Sequence, residues 1–524
     1  MERFPWLKLL SKKSRKDLPL RTPIWLDDHS NGEYYHPQNA RERRAQEIIL
    51  KESEHHARRY GVDRRQFLAS SAGMALSLGV LNTVSGCGDD GGGYQAPNLD
   101  DCVERGGDAL GGNEFIFDIQ THHFDPDASW RETNALYDNF ISAIGSCGAE
   151  DPVECFSKER YAEKLFLESD TTMAVLSSWP ATTCSEAAGI TSDCGLPLPN
   201  TSIVATRDWF NSLAMSERLI NHCQIMPNLI LEEQLDVMEE MATRFGVAAW
   251  KLYPAWGPDG VGFWMDDDIA RQTIEKGRAL GVKVFCIHKG LPIPGFDLEH
   301  NFPWDIGRVA KEFPDCKFIV YHSAICAGAE GIGCDPTEGE TLEGPYNEGA
   351  ADGELRGVDT LVRSLENAGV GPNENVYGEL GSCWSNVMND PAVAQHVIGK
   401  LLKHVGEDNV VWGTDYMLTQ PAQQQIEAFR SFSISEENQT THGYPELTTE
   451  LKAKVFGLNA AAVYGVDPDQ ERCRVDANQI QTARLELDAE FGGRRWAIRG
   501  PGGPRTRREF LNLARIHKAQ GIPG

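Results

Sequence analysis

Between residues 115 and 416 eight short apolar runs alternate with amphipathic stretches, and this alternation leaves few architectures open. The runs occupy 115–123, 172–179, 223–229, 247–254, 283–290, 317–323, 376–382 and 410–416. Each has the length of a buried strand. The clearest intervening helices are 231–246, 266–281 and 391–406, and the first two stop at a glycine just before a strand, as a helix C-cap does. The pattern predicts an α/β chain folded as a (β/α)8 barrel of the TIM type with long βα loops. A doubly wound sheet is the alternative. Polar residues recur at the strand ends from the first run to the eighth, however, and only closure brings such ends together.

Those polar residues are His122, His288, His322 and Asp415. Lys251 ends the fourth run and Glu379 the seventh. Long loops interrupt the pattern after the first, second and sixth strands, and the last of them, 327–357, is acidic and Gly-rich. Loops on that face of a barrel shape the substrate pocket.

The N-terminal region has another character. Residues 64–68 read Arg-Arg-Gln-Phe-Leu and open a weakly apolar, Gly/Ala/Ser-rich run to Val84, followed by Ser85-Gly86-Cys87. The arginine pair resembles the twin-arginine export motif, and the end of the run resembles a bacterial lipoprotein signal with Cys87 as the lipidated residue. Thr506-Arg507-Arg508-Glu509-Phe510-Leu511 carries the same arginine pattern without an apolar run. The competing reading of the run is a short buried helix in a cytoplasmic protein. The first reading divides the chain into a basic extension (1–63), the signal and lipobox (64–87), a Gly/Asp-rich flexible tether (88–112), the barrel (113–467) and a C-terminal extension (468–524). It places the protein in the periplasm, exported by the twin-arginine machinery and held to the membrane by a lipid.

Charge follows the same division. Residues 1–86 hold 15 Lys+Arg against 10 Asp+Glu, whereas the whole chain carries a net charge of −27. So acidic a body excludes a nucleic-acid partner and suits a surface-solvated enzyme for a small molecule. The basic stretch from Arg494 to Lys518 is expected to be a helix docked on that body. Among the 13 cysteines, Cys147/Cys155, Cys184/Cys194 and Cys326/Cys334 are close pairs in loop sequence, as local disulfides are. Cys223, Cys286, Cys316 and Cys383 lie in or beside strands and read as buried thiols.

Trp250-Lys251-Leu252-Tyr253-Pro254, Val284-Phe285-Cys286-Ile287-His288, the His322 strand, Gly413-Thr414-Asp415-Tyr416 and Phe456-Gly457-Leu458-Asn459-Ala460 follow in a fixed order. In that order the chain resembles the amidohydrolase-related group of the metal-dependent amidohydrolase superfamily, which includes aminocarboxymuconate-semialdehyde decarboxylase. The resemblance covers residues 115–466. It implies a divalent metal, Zn or Mn, held by His122, His288 and Asp415. The first strand of the group ends in His-x-His, and period-2 alternation sends both side chains into the barrel mouth. Here Gln120 replaces the first histidine and offers only a neutral amide oxygen, a poorer ligand for Zn. The resemblance also implies Asp415 as the base for a water and His322 as the group that polarises or protonates the substrate. Lys251 is expected to grip a substrate carboxylate, and Glu379 to face the mouth. Three functions follow: hydrolysis of an amide, ester or lactone; non-oxidative decarboxylation of an unsaturated or aromatic acid; or ligand binding by a barrel that has lost its metal. A homo-oligomer is compatible with all three.

Overall fold

The computed structural model describes residues 20–87, 91–133, 135–145, 147, 149–179, 195–291, 296–326, 343–473, 478–491 and 503–519. Eight parallel strands form one sheet in chain order: β1 (Phe117–Thr121), β2 (Met173–Leu176), β3 (Leu219–Gln224), β4 (Ala249–Leu252), β5 (Val284–His288), β6 (Lys317–Tyr321), β7 (Val376–Glu379) and β8 (Val410–Val411). Hydrogen bonds join the two edges: Ile119 N–H donates to Trp412 O at 3.0 Å and Asp415 N–H to Gln120 O at 2.9 Å, beside a parallel bridge between Thr121 and Tyr416. The sheet is therefore a nearly closed barrel, as the alternation predicts.

Alternate strand residues fill its interior. Phe117 and Ile119, Met173 and Val175, Ala249, Val284 and Cys286, Ile319 and Tyr321, and Val411 form one buried cluster. The intervening residues face an outer shell of helices that includes Asn200–Ala214, Asp268–Ala279, Val358–Ala368 and Pro391–Lys400. All eight apolar runs contain a strand. The third begins four residues earlier than its apolar run, because polar Asn221 and His222 interrupt the pattern while serving the fold. Asn221 accepts from Arg207 at 2.7 Å outside the barrel, and His222 meets the Tyr464 hydroxyl at 2.9 Å within it.

The N-terminal region, where the export reading places a signal, is helical and packed. Helix Ala40–Arg59 starts at a capping box made by Asn39 and Glu42, and helices Arg64–Leu68 and Ser71–Ser85 pack against it. Met74, Leu78 and Leu81 are buried in the same core as Ala394, Val397 and Ile398 of the barrel's outer layer. A helix apolar on most faces belongs in a core or a membrane, and here a core receives it. Among the described residues no helix is long and apolar enough to cross a membrane. The supposed tether is also partly ordered against the barrel. Gly93–Tyr94 pairs antiparallel with Phe432–Ser433, Leu99–Arg105 is helical, and the Tyr94 hydroxyl donates to Met388 O at 2.5 Å. Its Gly/Asp-rich composition hid the anchoring role of Tyr94.

Cys147 and Cys155 form the expected disulfide. Cys326 is disulfide-bonded, while Cys184, Cys194 and Cys334 lie outside the described residues. Cys223, Cys286, Cys316 and Cys383 are buried thiols, as expected. The basic C-terminal helix, Arg507–Ala519, docks on helix Ala135–Ile144 and buries Leu513.

If helix Ser71–Ser85 is a structural part of the barrel protein, Leu78→Ala should cost about 2–5 kcal/mol through the cavity it leaves. Thermal unfolding of the full chain should then move several degrees lower. An unchanged melt would make the helix a passenger.

Candidate metal centre

The C-terminal ends of β6, β7 and β8 turn abruptly, and the turns are held in a conformation that side chains avoid. His322, Ser323 and Ala324 have φ of 62°, 50° and 59°, Ser382 has 52° and Asp415 has 56°. Left-handed backbone at non-glycine residues costs on the order of 1–3 kcal/mol each and persists where surrounding structure enforces it. Crowding around the last turn explains Gly413: a Cβ there would sit 1.7 Å from Glu379 Oε1. These turns bring His322, Ser382 and Asp415 to one place, where β1 contributes Gln120 and His122 and β5 contributes His288.

Each of the three histidines is tied outward by a backbone carbonyl. His122 Nδ1 lies 2.8 Å from Ser177 O, His288 Nε2 3.0 Å from Leu291 O and His322 Nδ1 2.8 Å from Gly381 O. A carbonyl only accepts, so those ring nitrogens carry the protons. The opposite nitrogens, His122 Nε2, His288 Nδ1 and His322 Nε2, therefore present lone pairs inward when the rings are neutral. Burial and the neighbouring charges of His322 and Lys251 hold His288 well below its ordinary value, and burial together with Lys251 pushes His322 down to about 4 against the pull of Asp415. His288 and His322 are thus held as neutral rings.

The inward nitrogens face one another and two carboxylates. His288 Nδ1 and His322 Nε2 are 3.1 Å apart, an arrangement that leaves two lone pairs opposed unless a proton or cation lies between them. His122 Nε2 is 3.2 Å from Asp415 Oδ1. The second carboxylate is Glu33, with Oε1 3.7 Å from His288 Nδ1 and Oε2 3.9 Å from His322 Nε2. One ligand atom from each of Glu33, His288 and His322 lies within 4.8 Å of the other two. The donors thus suit a divalent cation: imidazole nitrogens and carboxylate oxygens, each imidazole oriented by a second hydrogen bond.

The two carboxylates divide in character. Burial and the charge of Asp415 raise Glu33 well above its ordinary value, although Asn31 donates to it. Burial acts on Asp415 too, but its neighbours His122 and His322 and the Ser382 hydroxyl outweigh it and hold the carboxyl below its ordinary value. Ser382 Oγ donates to Asp415 Oδ2 at 2.5 Å and Gln120 Nε2 to Asp415 Oδ1 at 3.0 Å. Asp415 is therefore the more readily ionised of the two.

The sequence-derived candidates all come together. His122, His288, His322, Asp415, Gln120, Lys251 and Glu379 are buried around the barrel mouth. Gln120 lies against Asp415, but it turns its amide nitrogen to the carboxylate, and its oxygen has no hydrogen-bond partner among the described residues. Glu379 accepts from His322 N–H at 3.0 Å and supports the left-handed turn; burial raises its carboxyl to about 8. Lys251 Nζ also has no hydrogen-bond partner among the described residues and lies 3.5 Å from the Tyr321 ring centroid. Burial lowers it to about 8. His123 faces outward, as alternation requires, and meets Thr206 Oγ1 at 2.9 Å. Cys87 lies away from this centre, with Gln395 Nε2 3.8 Å from its sulfur.

Sequence reasoning missed Glu33, Asn31 and Ser382. Glu33 and Asn31 lie in the stretch set aside as a pre-cleavage extension. A signal was present, since Asn31-Gly32 is a strong hairpin marker.

The amidohydrolase family model matches residues 213–343 and 365–466, a span that runs from β3 through β8 and leaves out β1 and the N-terminal region. No curated protein sequence is significantly similar to the chain. Similar solved structures include a TIM-barrel protein from Bordetella bronchiseptica at 14% identity, covering 67% of this chain and 99% of that one with a TM-score of 0.41. A 2,6-dihydroxybenzoate decarboxylase from Rhizobium is similar at 13% identity over 67% of this chain and 99% of that one, with a TM-score of 0.38. A 4-oxalomesaconate hydratase from Rhodopseudomonas palustris is similar at 15% identity over 72% of this chain and 100% of that one, with a TM-score of 0.40.

A buried ammonium without a hydrogen bond destabilises its host. Lys251→Met keeps the stem and removes the charge, so the melting temperature should rise. A fall would assign Lys251 to the fold's support and remove it from the site.

Proposed function

We propose that the chain is a metal-dependent hydrolase of the amidohydrolase type, acting on an amide, ester or lactone of a small carboxylate-bearing molecule. One observation carries the reading: three imidazoles, each tied outward by a backbone carbonyl, turn their free nitrogens toward two buried carboxylates. His122, His288 and Asp415 would hold a Zn or Mn ion. When bound, such a cation supplies Lewis acidity, easing deprotonation of a water and polarising a carbonyl oxygen.

The residues around it do the rest. Asp415, held below its ordinary value by His122, His322 and Ser382, accepts the proton of the attacking water through one carboxylate oxygen while Ser382 fixes the other. His322, locked by Gly381 O and by Glu379 at its backbone, keeps its inward nitrogen on the reacting side, where it accepts or returns a proton. Lys251, a buried cation lacking a hydrogen-bond partner among the described residues, binds the substrate carboxylate, and this contact sets the substrate class. Gln120 acts as the residue that positions Asp415. For location, we place export and lipid attachment at Cys87 second to a reading in which residues 20–87 remain with the barrel, because their helices share its core.

Elemental analysis of the purified full chain tests the proposal. About one Zn or Mn per chain, lost in a His288→Ala/Asp415→Ala double variant, is the expected result. No metal after reconstitution would leave a ligand-binding barrel. Asp415→Asn should unfold at a similar temperature yet lose at least about a thousandfold in turnover, the upper part of the range that general-base catalysis supplies, because it also removes a ligand. Undiminished turnover would exclude Asp415 from the mechanism. Release of carbon dioxide in place of hydrolysis products would assign decarboxylation.

A further inference from the structure

The N-terminal arm enters the barrel mouth as a hairpin. His29–Ser30 pairs antiparallel with Tyr35–His36, and the tip between them carries Asn31, Gly32, Glu33 and Tyr34. The tip is buried throughout, with Glu33 only 4% exposed. Its conformation is fixed from both sides. Gly32 has φ of 95°, a region that side chains avoid, and a Cβ there would press on Trp179 at 3.3 Å. Asn31 Oδ1 accepts from Glu33 N–H at 2.9 Å, and Asn31 Nδ2 donates to Glu33 Oε2 at 2.9 Å, Ser382 Oγ at 2.8 Å and Asp415 Oδ2 at 3.3 Å. The arm is fastened further back as well: Trp25 N–H donates to Gln420 Oε1 at 2.9 Å and Asn389 Nδ2 to Trp25 O at 3.0 Å. From the other end of the chain, Gly503 lies so close that a Cβ would sit 1.9 Å from Ser30 O.

Charge explains why a carboxylate should be delivered there. With Gln120 in the first strand, among the described residues the barrel itself brings one carboxylate, Asp415, within 4 Å of an inward imidazole nitrogen, so a bound dication would keep an excess positive charge in a buried site. Glu33 cancels that excess, and it reaches the two histidines, His288 and His322, that lie opposite the His122–Asp415 pair. We propose that the hairpin tip completes the metal centre, with Glu33 as a carboxylate ligand that makes up for the neutral amide of Gln120 and Asn31 as the clamp that fixes its spacing from Asp415. The active protein accordingly retains the arm, because cleavage before Cys87 would remove a ligand together with its clamp. This inference rests on the metal-dependent reading above and goes beyond it in naming a ligand from outside the barrel.

The test measures affinity for Zn and Mn by competition with a chelating dye. The full-length chain is compared with Glu33→Gln, Gln120→Glu and the Glu33→Gln/Gln120→Glu double variant, each checked by thermal unfolding without metal. Glu33→Gln should bind metal at least about tenfold more weakly, the scale seen when even supporting contacts of a metal site are lost. The double variant, which returns one carboxylate to the site from β1, should recover most of that loss. Wild type that binds metal, with a Glu33→Gln variant that binds equally well, would overturn the role of the arm and leave the hydrolase reading standing. Wild type that binds no metal would overturn both. Intact-mass analysis of protein from its native host offers an independent check: a metal-loaded chain beginning at Cys87 would refute retention of the arm.

Discussion

Closure between β1 and β8 is the constraint on which the rest depends, because His122 and Asp415 follow the first and last strands. β8 contributes only Val410–Val411 as regular strand, so the junction relies on bonds beyond it. Asp118 supplies them: its carboxylate accepts from Thr414 N–H at 3.0 Å and from the Thr414 hydroxyl at 2.5 Å. Burial raises this carboxyl to about 7 even though Thr414 and the Gln120 N–H pull it down. The bonds pin the residue immediately before Asp415, whose left-handed φ would otherwise relax. His122 N–H to Tyr416 O, at 2.6 Å, fixes the same turn from the other strand. A clamp inside the barrel thus sets the separation of two residues far apart in the chain.

The same logic governs the histidines. A histidine in a core is satisfied when both ring nitrogens find partners, and His222 is so placed, between Tyr464 and Tyr321. His122, His288 and His322 differ because the protein partners only their outward nitrogens with carbonyls. Their inward nitrogens meet one another or a carboxylate, and neither provides a donor when the rings are neutral. A fold pays for such opposed acceptors only where a cation or a proton completes them. This asymmetry separates the candidate centre from the other buried histidine inside the barrel.

Much of this was legible in the sequence, and the exceptions share a cause. Strand period and helix caps identified all eight strands because their signals are local. His122, His288, His322 and Asp415 were legible from their positions at strand ends. Helix Ser71–Ser85 was legible only as an apolar, Gly/Ala-rich run, because that composition is the same whether a helix enters an export channel or a core. The core it joins in this fold includes Ala394, Val397 and Ile398, residues distant in sequence. Glu33 was illegible for the same reason. Nothing in Ser-Asn-Gly-Glu-Tyr announces that a hairpin tip will reach His288, although the Asn-Gly pair announces the hairpin itself.

The site is built against its own stability. His322, Ser323, Ala324, Ser382 and Asp415 hold left-handed backbone, and among the described residues Lys251 is a buried cation without a hydrogen bond and Gln120 leaves a buried oxygen unmatched. Such costs persist only where the surroundings over-determine the geometry. The surroundings here come largely from outside the eight-stranded unit. Asn31 ties the Ser382 and Asp415 turns together from above, Trp25 locks its own segment onto Gln420 and Asn389, and the segment at Gly503 closes over Ser30. A barrel alone would be free to let these turns relax into ordinary backbone and draw water to the unpaired atoms. The N-terminal arm therefore does for the β7 and β8 turns what Asp118 does for the β1–β8 junction: it holds in place groups that the local chain would not hold by itself.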